Sequence, residues 1–378
     1  MEQATDTSTK ALTYNPPWTF AIPLAGAAVL ALAVLLPGLP GLAALLSLGL
    51  AGSVIAAVHH AEVIAHRVGE PYGTLVLAMA VTVIEVALIV SLMLAAEGQA
   101  ATLARDTVFA AVMIIMNGII GISLLVGGRR HYEQGFQLQG VSAALGTLTV
   151  ITVFTLVMPN YTTSVPGPVY SPHQLIFIAV ATLVLFAGFT FVQTIRHRDY
   201  FLPLPDPTGS GDTDGDGEDD HHADPPSLRT TWASVSMLMV ALVTVVLSAK
   251  MISPTIKAGL VAIGAPAAML GILIALLVLA PEGMAAVRAS MKNRLQTSLN
   301  LAVGSAIATI GLTIPVVAVV SLVMGWPLAL GLDAKQTMLL VLTLFVASIS
   351  LSTGRTTILQ GLVHLVLFAA FLFLSIVP

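Results

Sequence analysis

The chain has 378 residues, 57% of them hydrophobic and only 9% charged. A soluble domain carries about 25% charged residues, so this one cannot clothe a globular surface, and a mean hydropathy of +0.95 excludes a water-soluble enzyme, a disordered protein and a nucleic-acid binder. The net charge of −4 is local: eight of the nineteen acids lie between Asp206 and Asp224, and without them the remainder carries +4. With no Cys in the chain there is no disulfide framework, thiolate metal site or thiol nucleophile.

Crossing a bilayer takes about 20 apolar residues per helix. Runs of that kind fall, in chain order, near Trp18–Leu36, Gly41–Ile64, Gly73–Ala96, Thr107–Val126, Leu138–Met158, Leu175–Thr194, Trp232–Met251, Ala258–Ala286, Ser298–Met324, Gln336–Ser352 and Thr357–Val377. They predict an all-α integral membrane protein with about eleven transmembrane helices. The tail before the first run has Lys10 against Glu2 and Asp6, a poor basic n-region, so the first run reads as a retained span. With the N-terminus inside, eleven Lys and Arg fall on the inner side and four on the outer (Arg105, Lys250, Lys257 and Lys335). That bias predicts a cytoplasmic N-terminus and an external C-terminus.

Between Arg196 and Arg229 lies the longest polar stretch, kept non-helical by Pro203, Pro205, Pro207, Pro225 and Pro226. Four parts follow: residues 1–40, a tail and an extra N-terminal span; 41–195, a first repeat; 196–229, an acidic cytoplasmic linker; and 230–378, a second repeat. Two halves about a polar linker are the usual trace of a transporter built from repeats.

Charged groups deep in an apolar run cost about 2.5–3.5 kcal/mol on insertion scales and mark functional sites. Glu85 sits in the middle of the third run, and Glu282 sits in the eighth between Pro281 and Gly283, which are expected to interrupt that helix. Five spans apart is an odd number, so the two helices cross in opposite directions, as in an inverted repeat with a midplane site. Each acid is followed by a polar-then-apolar segment, and Asn117 and Thr309 fall at matching points in the two segments. These two residues are expected to supply neutral oxygen ligands, with Ser305 one helical turn from Thr309.

The segments Gly69-Glu-Pro-Tyr-Gly-Thr…Val83-Ile-Glu85-Val-Ala-Leu-Ile and Ala280-Pro-Glu282-Gly-Met-Ala-Ala-Val…Gly304-Ser305-Ala…Gly311-Leu-Thr-Ile-Pro315 resemble the two alpha-repeats of the calcium/cation antiporter superfamily, most of all its bacterial ChaA-type sodium–potassium/proton and calcium/proton antiporters. The resemblance runs from about Gly41 to the end. It implies two inverted five-helix halves behind one extra helix, a place in the cell inner membrane, and Glu85 and Glu282 as the paired ion-binding glutamates that would hold a transported metal cation. Where the calcium-selective branch usually has Gly-Asn-Ala-x-Glu, this chain reads Thr82-Val-Ile-Glu85 and Leu279-Ala-Pro-Glu282. Val112-Met113 stands at the Gly-Ser position of the first repeat, and Ala308 stands where an amide is common in the second. Fewer oxygen ligands leave room for a monovalent ion.

Two carboxylates facing one cavity hold two protons or one divalent cation at nearly the same net charge. Competition for the same oxygens, with alternating access, gives obligate exchange of Ca²⁺, Na⁺ or K⁺ for H⁺. The reading requires no cofactor beyond these ions and no partner beyond the lipid bilayer, and it leaves a homo-oligomer open.

Other polar groups carry alternatives. His59, Glu62 and His66 share a helical face at the end of the second run, as a proton relay toward Glu85, a zinc site or a hydrated helix end. An intramembrane zinc hydrolase would use these three residues, though the spacing is not His-Glu-x-x-His. A cation channel is the other alternative, and it needs no second, symmetric carboxylate. The run Asp212-Thr-Asp214-Gly-Asp216-Gly217-Glu218 matches half of an EF-hand calcium loop, but position 12 is Ala223, so it reads as an acidic tether.

Overall fold

The structure, a computed structural model, describes residues 14–36, 39, 41–69, 72–95, 101–203, 225–264, 266 and 268–377. Lys10, the Glu70-Pro71 pair and the acidic run of 204–224 lie outside the described residues.

Eleven helices follow one another: α1 (Pro17–Leu35), α2 (Leu42–Val68), α3 (Tyr72–Ala95), α4 (Leu103–His131), α5 (Leu138–Tyr161), α6 (Pro172–Arg196), α7 (Leu228–Ala262), α8 (Ala268–Met291), α9 (Leu295–Met324), α10 (Ala334–Ser350) and α11 (Ile358–Ile376). Among the described residues nine are long and apolar enough to cross a membrane. The apolar part of α3 (Ala78–Leu94) and α10 are shorter. Large apolar side chains such as Phe177, Val184, Trp232, Phe345 and Phe373 are exposed on the outer faces, where lipid rather than water is their solvent.

The two halves are related by an inverted repeat, with α2–α6 matching α7–α11. The packing obeys that exchange: α3 lies on α9 as α8 lies on α4, and α6 lies on α9 as α11 lies on α4. Two β contacts obey it too. Strand β1 (Gln134–Gly135), between α4 and α5, pairs antiparallel with β2 (Arg355–Thr356), between α10 and α11. A single bridge joins Val169, between α5 and α6, to Ala329, between α9 and α10. These are the same pair of loops with the halves swapped, at opposite ends of the bundle. Helices α6 and α11 also begin alike, with capping boxes Ser171–Gln174 and Thr357–Gln360.

The equivalent helices α4 and α9 form the centre, and α4 is the most enclosed of the long helices. Around them lies the larger apolar core; a smaller one joins α1, α2, α3 and α7 through Leu46, Leu50, Val54, Ile84, Val245 and Ile252. Small residues bring the central helices close to their neighbours. A Cβ on Gly361 of α11 would stand 2.5 Å from the Leu125 nitrogen and 2.9 Å from the Gly121 carbonyl oxygen of α4. Both obstacles are backbone, so Gly361→Ala must separate the two helices. The expected loss is about 1–3 kcal/mol, read as a lower unfolding midpoint in detergent; an unchanged midpoint would refute this packing account.

Two expected helix breaks are absent. Helix α7 runs from Leu228 to Ala262 through Pro254, so the span expected to end at Met251 continues past Lys250 and Lys257. Proline removes one backbone hydrogen bond, while Ile252, Ser253 and Leu260 are buried around it. The chain turns instead at Gly264, with φ of +69°, where glycine carries no Cβ penalty. Helix α8 likewise runs unbroken through Pro281. Gly283 there meets Ile119 of α4, 3.1 Å from where a Cβ would stand, so α8 packs closely on α4 just past the proline.

Candidate cation site

Glu85 points from α3 into the centre of the bundle and is 1% exposed. Its Oε2 accepts a hydrogen bond of 2.7 Å from Thr309 Oγ1 of α9, and its Oε1 is buried without a hydrogen-bond partner among the described residues. Glu282 is buried on α8, and its Oε2 accepts from Ser305 Oγ, also of α9. One turn separates the two hydroxyls, so a single helix holds one carboxylate from each repeat. The structure therefore brings together four of the five residues read from sequence as ion ligands.

The fifth, Asn117, is elsewhere. It lies in a π-helical stretch of α4, Ile114–Ile119, and is completely buried. Its Nδ2 donates to Thr343 Oγ1 of α10 at 2.9 Å, and its Oδ1 lies 3.3 Å from His364 Nδ1 of α11. Met113 closes this group, its sulfur 3.5 Å from Thr343 Oγ1. Thr343 and His364 are absent from the sequence reading above. His364 had a signal, since it is an ionisable side chain within the last apolar run, the same criterion that picks out the two glutamates. Thr343 had none, because a threonine in a membrane helix is ordinarily a packing residue.

The histidine cluster on α2 has other partners. His59 Nε2 meets the Tyr14 carbonyl at 2.9 Å and packs on the Trp18 ring, while His60 Nε2 meets the Thr19 carbonyl at 3.0 Å. These two residues fasten α1 to α2. Glu62 and His66 are exposed. Among the described residues no hydrogen bond links this group to Glu85, and no group of three or more His, Cys, Asp or Glu is placed to hold a metal ion.

The remaining charges near the centre are paired away from it. At the start of α4, Arg105 bonds Asp106 at 2.8 Å and the Gly331 carbonyl at 3.0 Å, which ties that end to the loop before α10. Among the described residues, the buried carboxylates at the crossing of α3, α8 and α9 thus have only hydroxyl groups as hydrogen-bond partners. Such a group can take up protons or a cation in place of its missing countercharge.

Known proteins resemble this chain in sequence and in fold. The chain is 46% identical over 370 residues to the y4hA protein of Sinorhizobium fredii, covering 96% of this chain and 97% of that one. It is 37% identical over 326 residues to the sodium-potassium/proton antiporter ChaA of Escherichia coli, covering 86% of each. Its fold is similar to the crystal structure of an H⁺/Ca²⁺ exchanger, CAX, with a TM-score of 0.69 over 94% of this chain and 87% of that one, at 15% identity. The model of the sodium/calcium exchanger protein family matches residues 38–195 and 233–377. The chain belongs to the sodium/calcium exchanger protein family.

Proposed function

We propose that this protein is a secondary cation/proton antiporter that exports Ca²⁺, Na⁺ or K⁺ in exchange for H⁺ by alternating access at Glu85 and Glu282. The observation that carries the reading is the buried carboxylate pair, one from each inverted repeat, held by Ser305 and Thr309 of one helix. An ion leaving such a pair must be replaced, because two bare carboxylates in a low-dielectric interior repel strongly. Two protons, or one divalent cation, restore neutrality, so the empty charged pair is a poor intermediate and the return step carries the other ion. That is the physical origin of obligate exchange.

The resident machinery then consists of the protein's own groups, and the protein is a transporter rather than an enzyme. Proline at 281 removes the amide that would bond the Leu277 carbonyl, so a carbonyl one turn before Glu282 is free to turn toward an ion. Residues 41–195 and 230–378 would move as the two repeats, joined by the acidic linker of 196–229. The cell inner membrane, with the N-terminus inside and the C-terminus outside, fits the eleven-to-four excess of Lys and Arg and the antiporter named in Escherichia coli.

The test is ion-coupled proton flux. Proteoliposomes holding the full chain and an imposed pH gradient receive Ca²⁺, Na⁺ or K⁺ in turn. At least one cation is expected to dissipate the gradient in a protein-dependent way. A gradient indifferent to all three would sink the antiporter reading.

A further inference from the structure

The exchange of repeats makes a demand that the site breaks. Thr309 of α9 donates to Glu85 of α3. With the halves swapped, Asn117 of α4 should donate to Glu282 of α8. Ser305 donates to Glu282, and the swapped bond would run from position 113 to Glu85. Position 113 is Met, which has no proton to give, and Glu85 Oε1 is the buried oxygen left without a partner. Asn117 does have the groups, yet both ends of its amide are engaged by Thr343 and His364.

The local backbone sets this up. Within the π-helical stretch the Ile120 N–H bonds the Ile115 carbonyl, five residues back. The Ile120 N–H, the usual α-helical partner of the Met116 carbonyl, is thereby taken by Ile115. A π-bulge inserts one residue and rotates the face downstream of it. Close packing of α11 on α4 then fixes the imidazole at that point, with Gly121 set against the His364 Cβ. The groups that α4 and α10 turn toward His364 are neutral: the Asn117 amide and, through it, the Thr343 hydroxyl.

We propose that His364 and Thr343 are positioning residues that set cation selectivity by holding the Asn117 amide away from the glutamate pair. The inference rests on the reading of Glu85 and Glu282 as the cation site. With the amide withheld, the side-chain oxygens offered to an ion are those of two carboxylates and two hydroxyls. Ca²⁺ takes six to eight oxygen ligands, and its attraction to each is twice that of a singly charged ion at equal distance. Each oxygen removed therefore weakens Ca²⁺ more than Na⁺ or K⁺. The hold on Asn117 biases the site toward the monovalent ions, and releasing it shifts the balance toward Ca²⁺.

The experiment compares apparent affinities for Ca²⁺ and Na⁺ in proteoliposomes of the full chain. The proteins are the unmodified one, His364→Leu and Thr343→Val, and each of these combined with Asn117→Ala. Thr343→Val keeps the shape of the side chain, so it serves if His364→Leu disturbs insertion. Either single variant is expected to raise the Ca²⁺-to-Na⁺ affinity ratio by about tenfold, the scale on which groups one shell beyond a metal act. Adding Asn117→Ala should remove that gain. The proposal is overturned if exchange persists with an unmoved ratio in the single variants, or if the gain survives without the Asn117 amide. Absence of cation-dependent flux in the unmodified protein would instead overturn the underlying site.

Discussion

Glu85→Gln and Glu282→Gln should each abolish exchange while leaving the protein inserted and folded. The amide keeps the size of the carboxyl group, and its oxygen can still accept from Thr309 or Ser305, so the hydrogen bonds that hold the site survive. What is lost is the charge and the exchangeable proton. A site with one carboxylate no longer alternates between two protons and a divalent cation at constant charge. Changing groups one shell beyond a metal costs about 10–100-fold, so loss of a ligating charge should lower the rate by at least about a hundredfold. The check is initial flux normalised to reconstituted protein, with the unfolding midpoint measured beside it. Normal flux in either variant would remove that residue from the transport site.

The second large effect is on pH dependence. Protons and the cation compete for the same oxygens, so acid on the loading side must weaken cation binding, and alkali must strengthen it until the pair is fully ionised. Where the pair is protonated, each proton displaced makes the apparent affinity change about tenfold per pH unit. A divalent cation displacing two protons gives a slope approaching about two, and a monovalent cation displacing one gives a slope of about one. The measurement is the apparent KM for each cation against loading-side pH. A KM that does not move with pH would mean that protons bind elsewhere.

Much of this was legible in the sequence because a membrane reduces the alternatives. Eleven apolar runs gave eleven helices, since every span must satisfy its own backbone. Two acids in the apolar runs marked the candidate site, and both are buried against one helix. Ser305 and Thr309 followed from helical spacing on one element. What was hidden depends on tertiary contacts. Pro281 looked like a break, and the seventh run seemed to end at Met251, because local sequence counts lost hydrogen bonds and polar residues and not the packing that offsets them. Asn117 looked like a ligand because its position matches Thr309, but its partner Thr343 is 226 residues away and His364 is 247 away. The histidines of α2 suggested a relay, yet His59 and His60 are turned to backbone carbonyls of the preceding segment.

That contrast locates the asymmetry of the molecule. The frame is nearly two-fold, from the helix packing to the paired β contacts and the capping boxes of α6 and α11. The polar groups of the candidate site are not, because α9 gives both of its hydroxyls to the carboxylates while α4 offers a methionine and an amide engaged elsewhere. A protein assembled from two like halves thus obtains its chemistry from the few positions at which the halves differ.

The central claim is that proton movement through the Glu85–Glu282 pair drives cation movement the other way. It is tested most directly by uphill uptake in proteoliposomes, with the cation equal on both sides and a pH gradient as the sole energy source. The account predicts accumulation of the cation on the acidic side, collapsing when a protonophore removes the gradient and absent in Glu85→Gln. Cation movement only down its own gradient, unaffected by the protonophore, would contradict it and identify a channel.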